Sequence, residues 1–143
     1  MNNSLVVQDL RKISSEDELL SSQDEMVERW LAAKTDISDV TVVLMFMEHR
    51  PTWQFGTPGA LVRFVEKFYR KGYEERLIES VSRQPTFHTL WMLNRISNGE
   101  GDTKKKVAYI NLLSQSCTRE DVDEDARSWA REFLELQKEN FPK

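Results

Sequence analysis

The sequence predicts an all-α fold: one domain over residues 1–143, built of about seven to eight short antiparallel helices, either a helical bundle or stacked helix pairs in the HEAT or armadillo manner. Three observations lead there. Only 5 Gly and 4 Pro punctuate the 143 residues. The segments between them are rich in Leu, Glu, Lys, Arg and Met, which give up little freedom on entering a helix. Their apolar residues also recur at intervals of three and four, the spacing that puts side chains on one helical face.

The elements can be read in order. In "SLVVQDLRKI", Leu5, Val6, Leu10 and Ile13 share a face. Ser15 followed by Glu18 is a capping box for a second short helix, and Ser22 is placed to cap a third, "QDEMVERWLAAK", with Met26, Val27, Trp30 and Leu31 as its apolar stripe. Asp36 or Ser38 starts "DVTVVLMFMEHR". Its residues 40–43 are all β-branched, so a short buried strand competes, but the apolar run through Met47 is longer than strands usually reach and favours helix. After the loop at 50–59, Thr57 and Pro58 read as an N-cap and first helical residue. The helix "ALVRFVEKFYRKG" follows, to be ended by a left-handed Gly72. "YEERLIESVSR" carries Leu77, Ile78 and Val81 and stops before Pro85. "PTFHTLWMLNRISNG" is a helix opened by Pro-Thr and closed by Asn-Gly. Another helix starts at Thr103, and the last runs from Thr118 to about Asn140 with Val122, Ala126, Trp129, Ala130, Phe133 and Leu136 on its buried side.

Hydrophobic residues at 39% and charged residues at 31% are globular values. No apolar tract is long enough to cross a membrane, and "MNNSLVVQDLRK" lacks the features of a signal peptide, so a cytoplasmic protein is expected. A single cysteine, Cys117, fits that compartment and makes neither an internal disulfide nor a zinc site, so it reads as packing. Charge is uneven along the chain: net −6 over residues 1–48, +5 over 49–112 and −3 over 113–143.

The candidate sites divide by chemistry. Catalysis finds no support: His49 and His88 form no HxxxH or HExxH pair, no GxSxG elbow occurs, and "FGTPG" lacks the lysine of a phosphate loop. No catalytic residue, cofactor or metal is therefore expected. Asn94 lies at the centre of an apolar helical face, where its amide would satisfy backbone groups of a neighbouring element. Arg95, near Trp91 and His88 in projection, would stack on the indole or pair with an acid. Asn94, Arg95 and His88 are thus candidates for a structural polar core; a small-molecule pocket around His88, Trp91 and Arg95 is the weaker alternative. The basic run Arg63, Lys67, Arg70, Lys71 and Arg76, with Lys104, Lys105 and Lys106, raises the question of nucleic acid. Interleaved Glu66, Glu74, Glu75 and Glu79 and the net charge of −4 argue for a solvated face instead. The acidic clusters are the better candidates for partner binding: Glu16, Asp17, Asp24, Glu25 and Glu28 near the start, and Glu120, Asp121, Asp123, Glu124 and Asp125 at the start of the last helix. Patches of that sign steer and hold basic partners.

"FGTPGALVRFVEKFY", "YEERLIESVSRQPT" and "HTLWMLNRISNG", together covering roughly residues 55–99, resemble small all-helical bacterial immunity proteins of contact-dependent-inhibition and Rhs-type polymorphic toxin systems. The resemblance implies a non-enzymatic protein that binds one cognate toxin domain and blocks it. Taken with the acidic chain ends, the expectation is a basic toxin, a nuclease fitting best, whose active site is occluded. The alternative is a helical adaptor or regulator that binds nucleic acid or another protein.

Overall fold

The computed structural model describes residues 4–56 and 58–140, with the backbone alone for Asn140. These residues form eight α-helices and no strand, so the fold is all-α. They fall into two compact units, Met1–Arg76 and Leu77–Lys143.

In the first unit, α1 (Leu5–Arg11) is capped by Ser4, whose hydroxyl accepts from Val7 N–H at 3.2 Å. Ser15 caps α2 (Glu16–Ala32) through Glu18 N–H. The expected break at Ser22 does not occur. Leu19, Gln23, Met26, Val27 and Trp30 form one uninterrupted buried face through it, and continuous burial overrides a local capping preference. Leu31 departs from the expected stripe and is 45% exposed. Asp36, in a reciprocal box with Asp39, caps α3 (Ile37–Glu48), so residues 40–43 are helical. Val40, Val43, Leu44 and Met47 bury at helical spacing, which outweighs a propensity penalty of roughly a few tenths of a kcal/mol per β-branched residue.

The next helix, α4 (Ala60–Glu66), is shorter than the sequence implies, and Thr57 lies outside the described residues. Gly59 occupies the N-cap position without a side chain to cap with. Buried Gln23 of α2 caps the helix in its place. Its Oε1 accepts from Leu61 N–H at 3.3 Å while its Nε2 donates to the Phe55 carbonyl at 3.4 Å. Past Glu66 the chain turns. The Glu74 carboxylate accepts from the N–H of Arg70, which sits at φ 64°, and Gly72 at φ 109° supplies the left-handed residue the sequence suggested. That local carboxylate bond, with Tyr73 N–H returning to the Phe68 carbonyl, ends the helix before Phe68 and Tyr69 can join it. Trp30 packs edge-on against Phe64 at 5.2 Å, and its indole N–H donates to Asp9 at 2.8 Å.

The boundary between the units falls within α5 (Tyr73–Arg83). In the second unit, Thr86 and Thr89 cap each other's backbone at the start of α6 (Phe87–Asn98), and Asp102 caps α7 (Thr103–Thr118). The last helix, α8 (Glu124–Asn140), begins six residues later than expected, because Thr118 still closes α7. Asp123 receives Ala126 N–H at 2.8 Å and serves as the start signal instead. Helices α6, α7 and α8 pack mutually. Ala126, Ala130, Phe133, Leu134 and Gln137 are the inward face of α8; Trp129 and Leu136, expected there, are each 43% exposed. Among the described residues no helix is long and apolar enough to cross a membrane.

Candidate functional surface

Polar residues inside the second unit are tied to each other. Gln137, near the end of α8, donates through Nε2 to Asn94 Oδ1 at 2.7 Å and Asn98 Oδ1 at 2.9 Å. Asn94 therefore does satisfy a neighbouring element, but through a side-chain amide rather than backbone. Sequence patterning alone does not single out Gln137, although its place in the stripe Ala126, Ala130, Phe133, Leu134 is a visible polar interruption. Replacing it with Leu strands the buried Asn94 oxygen, while that of exposed Asn98 can turn to water, and a buried acceptor left without a donor costs about 1 to 3 kcal/mol. Gln137→Leu is thus expected to lower the unfolding free energy by that amount, read from urea titration, without loss of helical circular dichroism.

His88 is buried, with its ring edge-on to Phe87. The Arg95 guanidinium lies 5.2 Å from the Trp91 ring centre, so Arg95 stacks on the indole. Cys117 is buried, donates its thiol to the Leu113 carbonyl at 3.3 Å, and has its pKa pushed up by desolvation, which disfavours a thiolate nucleophile. Among the described residues no group of three or more His, Cys, Asp or Glu is placed to hold a metal ion.

The acidic residues around the start of α8 are largely engaged within the chain. Arg119 grips Asp121 with both arms of its guanidinium, at 3.0 and 2.6 Å, which lowers the Asp121 pKa and raises that of Arg119. Its remaining donors reach the carbonyl of Ser82 at 2.7 Å and those of Val81 and Arg83 at 3.5 Å, at the end of α5. Glu124 accepts from Arg131 and pairs with Arg127, and the Arg131 bond is the main cause of its lowered pKa. Asp123 is committed to its cap. Glu120 and Asp125 are exposed and form no ion pair among the described residues, Asp125 standing in the first turn of α8.

Asp125 leads into a feature that periodicity concealed. Asp125, Trp129, Glu132, Leu136 and Glu139 follow each other at three- and four-residue steps along one exposed side of α8. Trp129 is continuous with an aromatic cluster: it lies 4.8 Å from Phe87 of α6 and 5.7 Å from Phe133, and Phe87 lies parallel to Trp91 at 6.4 Å. An open Trp and Leu thus lie between a row of carboxylates and a ring cluster that ends in Arg95.

In the first unit, Asp17, Asp24, Glu25 and Glu28 lie on the solvent side of α2, and among the described residues none forms an ion pair. Glu16 is half-buried and accepts from Gln54 N–H. The basic residues read as a solvated face belong to different units: Arg63, Lys67, Arg70, Lys71 and Arg76 to the first and Lys104, Lys105 and Lys106 to the second. Comparison with protein-family models, with curated proteins and with solved structures finds no match.

Proposed function

We propose that this chain is a non-catalytic protein inhibitor of the immunity type, which binds a basic toxin domain through the acid-edged aromatic side of α8 and covers its active site. The observation that carries this reading is the exposure of Trp129 and Leu136 between Asp125, Glu132 and Glu139. Large rigid rings bury much area at little entropic cost, and unpaired carboxylates around them favour a cationic partner while rejecting an anionic one. A nuclease suits this chemistry, since its own phosphate-binding surface is basic. The polar core formed by Asn94, Asn98 and Gln137 holds α8 against α6, and so keeps the proposed face rigid.

The test uses the full-length tagged chain in cells carrying its native locus. A basic protein should be retained in stoichiometric amount by the wild type and lost with Trp129→Ala or Glu132→Lys, both exposed positions. Titrating this chain into the purified partner should abolish the partner's activity. Recovery of nucleic acid in place of protein, retention that ignores both substitutions, or a partner whose activity survives saturation would overturn the reading.

A further inference from the structure

The first unit holds a cleft of about 360 Å³ between α2 and α4, lined along α4 from Ala60 to Lys67. Val27, Leu31 and Phe64 give it an apolar lining, and Leu31 stands partly in solvent. Its two walls are oppositely charged. Asp24 and Glu28 line the α2 side, and Arg63 and Lys67 the α4 side. Among the described residues these four charges form no ion pair with one another or with any other group.

This arrangement discriminates between occupants. A purely basic segment is repelled by one wall and a purely acidic one by the other, so the occupant must itself be bipolar, with acid and base side by side at the same separation. The chain carries such a surface in the cleft itself. A two-fold axis lying in the plane of the mouth and running along the cleft lays α2 of one copy over α4 of its partner, which sets the Asp24 and Glu28 wall against the Arg63 and Lys67 wall on both sides at once. It also brings the exposed Leu31 of each copy over the other's α4 wall. A two-fold axis that laid α2 on α2 would instead set acid on acid and base on base. Charge therefore selects one of the two symmetric pairings as well as the partner. We propose that the α2/α4 cleft is a self-association face whose occupant is a second copy of this chain. The cleft is lined by eight residues, well short of the roughly 20 to 30 a side of a standard interface, which places the dimer in the weak, transient class. The proposal is independent of the α8 docking surface, which lies in the other unit.

Sedimentation of the full-length chain against concentration, at low and high salt, measures the association. The wild type should move from monomer to dimer between micromolar and millimolar concentration, with the midpoint raised about tenfold at high salt as the wall charges are screened. The decisive comparison uses two double variants, each checked for wild-type circular dichroism. Asp24→Lys with Glu28→Lys makes both walls basic, and Arg63→Glu with Lys67→Glu makes both acidic. Each alone should stay monomeric, because like walls then face each other; an equimolar mixture of the two should dimerise. A wild type that remains monomeric to millimolar concentration, variants that associate singly as the wild type does, or a mixture that stays monomeric would each overturn the proposal.

Discussion

Gly59→Ala is expected to destabilise the first unit by more than about 4 kcal/mol, beyond the usual range for a single substitution. The backbone at Gly59 is extended, at φ −90°, so conformational freedom is not the reason. A Cβ there would fall 1.4 Å from the Phe55 carbonyl oxygen and 2.6 Å from its carbon, a clash with main chain that no side-chain rotation relieves. The same carbonyl receives Gln23 Nε2, and Gln23 Oε1 is 3.0 Å from the added atom. Relief of the clash therefore also pulls apart the bridge that satisfies the start of α4. Gly101→Ala is the control: nothing lies within 4 Å of its Cβ position, and its effect should stay within about 0.5 kcal/mol. Urea unfolding followed by circular dichroism compares the two; equal midpoints would show that the loop at 50–59 shifts freely.

The second large effect is expected at Trp30, the largest fully buried side chain of the first unit. Trp30→Ala removes the edge contact with Phe64 and opens a cavity, together costing about 3 to 5 kcal/mol. It also takes from Asp9 one of two donors; the other, Arg29 at 2.8 Å, is about half exposed. Trp30→Phe separates the contributions, because it keeps an aromatic ring beside Phe64 and deletes the indole N–H. It should recover most of the loss and leave a deficit of about 1 to 2 kcal/mol, the cost of an under-satisfied buried carboxylate oxygen. If Phe proves as damaging as Ala, the hydrogen bond to Asp9 outweighs the packing.

The helices are legible in the sequence where a cap and a periodic face agree. Ser15, Asp36 and Thr86 start helices as their residue types suggest, and the β-branched run at 40–43 is helical because its apolar positions repeat at helical spacing beneath a firm cap. Where one signal stands against a longer-range contact, the contact wins. Ser22 has the chemistry of a cap but lies over a continuous buried face, and the stripe through Phe68 and Tyr69 is cut short by the Glu74 carboxylate at Arg70 N–H. On α8 two apolar stripes run side by side, Ala126 to Gln137 and Trp129 to Leu136, and spacing alone does not say which one meets the core. The acidic residues are equally legible as residues but not as a surface. Asp121 and Glu124 are occupied by Arg119, Arg127 and Arg131, while Glu132 and Glu139 gain interest only once Trp129 is seen to be open.

Gln23 and Gln137 escape a reading of the sequence for the same reason. Each sits in the buried stripe of a 17-residue helix, and each finds partners more than thirty residues away, at separations where sequence carries no pairing signal. A glutamine interrupting an otherwise apolar stripe is the trace such bridges leave.

Arg119 has a bearing on the order in which the chain assembles. The carbonyls at the end of α5 are held by a guanidinium that follows them by 36 to 38 residues, with the whole of α6 and α7 between. A turn closed by its own neighbours forms as soon as it is made, but this one waits on a long loop closure. The terminal carbonyls of α5 therefore receive these donors only once the α7–α8 connection is in place, and until then the end of that helix relies on water for its acceptors.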